Sequence, residues 1–282
     1  MTINEIELKA NKIRQDIIKM LAAAGSGHSA GPLGMADIFA SLYFEILNHD
    51  PANPNWDERD RLILSNGHIV PVRYAAMAES GYFDVKELKT LRKIGSRLQG
   101  HPERLKLPGL ETTSGPLGSG LAEAAGYALA AKIDNKRFRI YCIISDGEQE
   151  EGNNWEAVMF AAKYKLSNLT AIMDRNKIQI SGPTENIMPL ESLVEKYKAF
   201  NWNVIVIDGN DIESIFRGVH YAKKVFDKPS IIIAETTPGK GVKFMEGKYE
   251  WHGKAPNKEE ASLALEELEK EEKEIKERSD ND

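Results

Sequence analysis

The sequence has a single cysteine, Cys142, among 282 residues. One thiol excludes an intramolecular disulfide and any metal site built on several cysteines. Long hydrophobic runs are missing as well. Stretches such as Ile140–Ile144 and Ile231–Ala234 end far short of the roughly 18 consecutive apolar residues a membrane helix needs. The first twenty residues, MTINEIELKANKIRQDIIKM, mix charges with apolar residues at helical spacing, and so read as neither a secretory signal nor an anchor. There is no excess of positive charge: 37 basic residues face 43 acidic ones, for a net charge of −6. That balance argues against a nucleic-acid partner. No G-x-x-x-x-G-K-[ST] loop occurs, which removes the plainest nucleotide-binding reading. What remains is a globular composition, 41% hydrophobic and 28% charged, expected in the cytoplasm and away from membranes.

The negative charge is local. Residues 258–282 hold eleven Asp and Glu against five Lys and Arg, and the preceding 257 residues balance at 32 of each sign. Two regions are therefore expected: a body over 1–257 and an acidic C-terminal helix or tail over 258–282. Ala261, Leu265, Leu268 and Ile275 give the tail one apolar stripe, suited either to its own domain or to a partner.

Within the body, Ile6, Ile13, Ile17, Ile18 and Leu21 mark an opening amphipathic helix over 5–23. It runs into a glycine-rich turn, Gly25-Ser-Gly-His28, and a second helix is expected from about Met35 to Leu47. Short apolar, β-branched runs then recur at 61–64, 140–144, 169–173, 204–207 and 231–234. Helical patterns near 71–80, 119–133, 153–165, 190–199 and 211–226 separate most of them. Strands alternating with helices imply a parallel sheet, and near-continuous apolar strands imply helices on both of its faces. The expected class is a single α/β domain.

In such sheets ligands bind beyond the carboxyl ends of the strands. The run 140–144 leads into Ser145-Asp146-Gly147-Glu148, and the next strand leads into Asp174-Arg175-Asn176-Lys177-Ile178. A carboxylate and an amide oxygen at neighbouring strand ends suit Mg²⁺, which takes hard oxygen ligands and completes its octahedron with phosphate and water. Gly147 allows close backbone approach, and the following helix N-terminus favours an anion.

That pair of strand ends is the thiamine diphosphate motif, and further motifs resemble the N-terminal, diphosphate-binding portion of transketolase over roughly residues 8–255. They are Gly25–Gly34, Arg61–His68, Gly100-His-Pro-Glu103, Thr113–Gly120, and Glu235–Gly241 followed by Trp251-His-Gly253. The resemblance implies the thiamine diphosphate-binding fold, with Asp146, Asn176 and the carbonyl of Ile178 as Mg²⁺ ligands. It places Gly147, His68 and Asn176 at the diphosphate, and Gly115, Pro116 and Leu117 along the cofactor, with Leu117 supporting its bent shape. His28, His101 and His252 would face the substrate. His28 and His252 would move protons on the sugar hydroxyls, and His252 would also reach the diphosphate. Glu151 matches an acidic residue near the contact between paired active sites. Imidazole suits proton transfer at neutral pH. His49 and His220 lie outside any motif and carry no assignment, and Cys142 reads as buried filler. Ser145 stands where the family usually has Gly, and Arg175 where Asp or Asn is commoner.

Full-length transketolase continues into a pyrimidine-binding domain, which supplies the glutamate that activates the cofactor and the basic residues that hold the substrate phosphate. No segment of this sequence matches that domain. The resemblance therefore implies the N-terminal subunit of a split transketolase, completed by a C-terminal, pyrimidine-binding subunit in an α2β2 heterotetramer of the pentose phosphate pathway. Its reaction would be reversible transfer of a two-carbon ketol group from a ketose phosphate to an aldose phosphate. Two alternatives stay open. One is another thiamine diphosphate enzyme of sugar phosphates, such as a 1-deoxyxylulose 5-phosphate synthase or a branched-sugar ketolase, against which the Gly-His-Pro-Glu loop and His252 count. The other is a non-catalytic subunit that binds thiamine diphosphate or steadies a partner.

Overall fold

A computed structural model describes residues 1–279. Its helices and strands, in chain order, are α1 (Ile3–Ala24), α2 (Ala30–Gly34), α3 (Ala36–Ser41), β1 (Arg61–Leu64), α4 (Val70–Glu79), α5 (Gly120–Ile133), β2 (Ile140–Ser145), α6 (Gly152–Lys163), β3 (Leu169–Arg175), β4 (Ile178–Gln179), β5 (Gly182–Pro183), α7 (Thr184–Ile187), α8 (Leu193–Ala199), β6 (Asn203–Asp208), α9 (Ile212–Lys223), β7 (Ser230–Glu235) and α10 (Lys258–Ser279). Five strands form one parallel sheet in the order β1-β2-β3-β7-β6. Alternate residues of each strand feed opposite cores. Tyr141, Ile143, Ile172 and Ile232 face one side with α1, α3, α4 and α9, whereas Cys142, Ile144, Ala171, Met173, Ile231 and Ile233 face the other with α5, α6 and α8. The expected sheet, flanked by helices on both faces, is the one observed.

The helix expected over 35–47 is built differently. Helical backbone begins earlier, at Ala30, breaks at Met35, and closes in a π-helical turn over Leu42–Ile46. The glycines of α2 serve close packing instead of a turn. A Cβ on Gly34 would stand 2.8 Å from the Thr237 carbonyl oxygen, and one on Gly31 2.9 Å from Ile69. Arg14 of α1 donates to the Leu33 carbonyl and to Asp37. Asn210 donates to the Gly34 carbonyl and to Asp37, and accepts from Thr237 N–H. Polar bonds thus hold α2 against the carboxyl end of β7.

Helix α10 lies along α1. Ala264 and Leu268 are fully buried, Asn11 donates to the Leu268 carbonyl and to Glu271, and Gln15 donates to Glu272. Its apolar stripe therefore faces its own chain. Among the described residues, no helix is long and apolar enough to cross a membrane.

Candidate active site

Strand ends set the geometry. Ser145 pairs with Asp174 across β2 and β3, so the turns after these strands meet. Asp146 is buried, and its Oδ1 accepts from Gly147 N–H at 2.7 Å. Its Oδ2 accepts from Lys177 N–H at 2.7 Å and from Arg175 at 2.9 Å. The carboxylate consequently rests on the turn that carries Asn176 and Ile178, where Asn176 Oδ1 accepts from Ile178 N–H at 3.0 Å. Burial pushes the Asp146 carboxyl up, and Arg175 with the two backbone amides pulls it back. Asp174 beneath it is raised to about 7, by burial first. Among the described residues no three His, Cys, Asp or Glu side chains gather into a metal site. Asp146 and Asn176 share this turn with Ile178, and a carboxylate, an amide oxygen and a carbonyl are oxygen donors of the hard type that fits Mg²⁺.

Arg175 is a structural part of this turn. It is 2% exposed and bonds Asp146, Glu185 (2.7 Å) and Glu191 (2.8 Å) through a single guanidinium. Three carboxylates share that one cation, so surplus negative charge remains around the Asp146 turn.

Three imidazoles gather near the end of β1. Ring centroids are 4.9 Å apart for His28 and His68, 5.3 Å for His68 and His252, and 5.6 Å for His28 and His252. His101 joins them from an exposed position. Its Cδ2 would lie 3.2 Å from a Cβ on Gly67 and 4.0 Å from one on Gly115. Gly115 is half-buried, and Pro116 and Leu117 project outward. Polar atoms without a protein partner collect at the same place: Nδ1 of His28 and of His252, both ends of the Asn66 amide, and Ser114 Oγ. Buried polar groups are normally paired, so this group calls for a polar ligand. His49, by contrast, is tied to Tyr82 and the Tyr43 carbonyl.

All four site imidazoles are held neutral. Burial lowers His28 to about 4, with His252, Arg92 and His101 adding repulsion; it lowers His68 further, then His28 and His252 contribute. His101 and His252 are lowered by burial as well. The unfolded chain then binds more protons at these positions, so their contribution to stability is complete above the ordinary histidine value near 6.5 and is lost as pH falls toward 4. Asp16 and Asp174, raised to about 6 and 7, act in the opposite sense. His28→Asn removes one titrating ring. On acidification from about pH 7 to 5, thermal melts of this variant should lose on the order of 2–4 °C less than those of the wild type. Equal losses would show that His28 titrates normally.

Glu148 has a role that the motifs did not signal. Fully buried, it accepts from Ser65 Oγ, from Gly118 N–H at 2.6 Å and from Ser145 N–H at 3.0 Å. Ser65 Oγ in turn accepts from Gly120 N–H at 3.0 Å. Glu151 packs on Gly118, where a Cβ would meet its own at 2.6 Å, and Asn153 donates to the Gly118 carbonyl. The only sequence signal was a carboxylate directly after the Asp-Gly turn, in a cluster of acids.

Fold and strand-end chemistry together define a cofactor-binding α/β domain of the thiamine diphosphate class. The profile described as "transketolase, thiamine diphosphate binding domain" matches residues 6–277. The chain belongs to this transketolase family. It is 43% identical over 267 residues to the 6-deoxy-6-sulfo-D-fructose transketolase subunit SqwG of Clostridium sp. (strain MSTE9), covering 95% of this chain and 97% of that one. It is 40% identical to an apulose-4-phosphate transketolase subunit of Phocaeicola vulgatus, over 96% and 99%. Human transketolase is 38% identical, but the match spans 92% of this chain and only 41% of the human one. The crystal structure of Campylobacter jejuni transketolase superposes with a TM-score of 0.90 at 37% identity, over 95% of this chain and 43% of that one.

Proposed function

We propose that this chain is the diphosphate-side subunit of a split transketolase and catalyses ketol transfer between sugars with a separate pyrimidine-side subunit. The observation that carries the reading is the cluster of neutral, partner-poor imidazoles beside the β1 end, on the same sheet whose β2 and β3 ends bring Asp146 onto the turn of Asn176 and Ile178. Asp146, Asn176 and the Ile178 carbonyl would hold Mg²⁺, and Gly147 and His68 would meet the diphosphate. Gly115, Pro116 and Leu117 would line the cofactor. When bound, thiamine diphosphate supplies the electron sink for breaking a carbon–carbon bond next to a carbonyl.

The chain's own work is proton transfer. His28 and His252, both kept unprotonated, can each accept a proton from a sugar hydroxyl and return it, because neither is already charged at neutral pH. His101, at the rim, would orient the sugar. Glu151, packed on Gly118, would face a paired active site.

Relatives that match this chain over nearly their whole length are named as subunits, which supports a second chain. Their names also favour a sulfonated or branched sugar over the ketose phosphates of the pentose phosphate pathway. A tagged chain recovered from its native extract should bring down a stoichiometric partner, and the pair should transfer ketol units with Mg²⁺ and thiamine diphosphate. A panel of xylulose 5-phosphate, fructose 6-phosphate, 6-deoxy-6-sulfofructose and apulose 4-phosphate then separates the substrate classes. Recovery of this chain alone, inactive on all four, would instead leave a cofactor-binding module.

A further inference from the structure

Two of the substrate-facing histidines each follow a glycine, and one cation lies between those glycines. The Arg92 side chain is spread over Gly100. A Cβ there would stand 2.9 Å from Nε, 3.0 Å from Cζ and 3.1 Å from Nη2, so a larger residue would displace the guanidinium from this position. On its other side is Gly27 (φ +131°), whose Cβ would come within 3.8 Å of Arg92 Nε. Gly27 precedes His28, and Gly100 precedes His101. Arg92 itself has left-handed backbone, φ +58°, and its N–H donates to the Leu98 carbonyl at 2.9 Å. A non-glycine residue in that region is uncommon.

The guanidinium has no ion-pair or side-chain hydrogen-bond partner among the described residues. It borders a cavity of about 640 Å³ lined also by Ser26, Gln99, His101, Glu103 and Ser114. The carboxylate of that lining, Glu103, accepts through Oε1 from Leu105 N–H and Thr113 Oγ. Arg92 is solvent-exposed, whereas the buried Arg14, Arg59 and Arg175 are ion-paired and the buried Arg73 bonds only the Tyr43 hydroxyl and the Gly109 carbonyl. Arg92 keeps five donors in a fixed fork, uncompensated and beside two neutral imidazoles. Such a fork matches a tetrahedral oxyanion, which it can grip through two oxygens.

We infer that Arg92 is the anion-recognition residue that this chain contributes to the substrate channel, and that it binds the terminal oxyanion, phosphate or sulfonate, of the sugar. The inference rests on the proposed ketol-transfer reading and names a specificity determinant for it. Arg92 would act beside whatever cations a second chain presents. Its electrostatic effect fits, since its charge helps keep His28 and His101 unprotonated.

The test has a binding arm and a kinetic arm. In the first, the full chain is titrated with inorganic phosphate, and separately with methanesulfonate, while the histidine ring protons are followed by NMR. Phosphate should shift the His28 and His101 signals saturably. Arg92→Gln should weaken that response at least tenfold, and Arg92→Lys should restore part of it. Whichever of the two probes binds more tightly shows which oxyanion the subsite prefers. No saturable response in the wild type, or an undiminished one in Arg92→Gln, overturns the assignment. In the second arm, the assembled enzyme is given phosphorylated and unphosphorylated acceptors. Arg92→Gln should lower the ratio of their kcat/KM values about tenfold, chiefly through KM; an equal loss on both acceptors overturns the subsite. Phosphate binding through Arg92 in a chain that transfers no ketol unit with any partner would leave the subsite standing and remove the reaction.

Discussion

Asp146→Asn should weaken Mg²⁺-dependent thiamine diphosphate binding by about a hundredfold or more, because even changes to residues behind a metal ligand cost 10–100-fold and this residue is proposed as a ligand. The substitution keeps the shape and one acceptor oxygen, so either Gly147 N–H or Lys177 N–H can stay bonded. It removes the charge. Arg175 would still be held by Glu185 and Glu191, so the turn should survive. Asp146→Ala goes further and should abolish cofactor-dependent activity in the assembled enzyme while circular dichroism stays native. Cofactor titrations at limiting Mg²⁺ decide the matter: an affinity unchanged there would sink the metal assignment, whatever happens to turnover.

The second large effect is expected at the imidazoles. His28→Ala with His252→Ala should lower kcat of the assembled enzyme by about 10²–10⁴, the range that positioned acid–base groups supply. The rings lie 5.6 Å apart, edge to face, close enough to serve one proton path. If they do, each single variant should cost nearly as much as the pair, since groups that act as a unit are far from additive. Cofactor affinity should fall less steeply than kcat, because His68 and the strand-end residues remain and only His252 of the pair is expected to reach the diphosphate. Full activity in the double variant would favour the other reading kept open by the sequence, a chain that carries the cofactor or steadies a partner without catalysing.

The sheet was legible because its strands are short, apolar and spaced by helical stretches. All five runs, 61–64 through 231–234, are strands, and their parallel pairing follows from the intervening helices. The segment 25–47 was harder. Gly31, Pro32 and Gly34 signal a turn locally, yet tertiary packing against Ile69 and Thr237 favours helix there and uses the glycines for clearance. The two-residue strands β4 and β5 carry no periodicity to detect. The stripe on α10 was readable, but its partner α1 lies some 250 residues earlier in sequence and nothing in the stripe identifies it.

At the proposed site, the residues that bear their own chemistry stand out in the sequence: Asp146 and Asn176 at strand ends, and four histidines in glycine-rich loops. Those that act by placement do not. Arg175 reads as a departure from the expected pattern and turns out to be the cation around which three carboxylates are arranged. Arg92 sits in a run of charged residues, and only the fold shows the two glycines that hold it.

One buried carboxylate has a consequence for how the site can come apart. Glu148 bonds the end of β1, the loop of Gly118 and the end of β2 at once. None of these can open without leaving a desolvated charge short of donors, at a cost of about 1–3 kcal/mol for each bond lost. The Gly118 loop, the end of β1 and the turn after β2 are therefore coupled through one carboxylate, and opening any of them costs it a donor. Local fluctuations that would loosen a single loop are suppressed, and exchange of the Gly118 and Ser145 amides with solvent requires one shared opening.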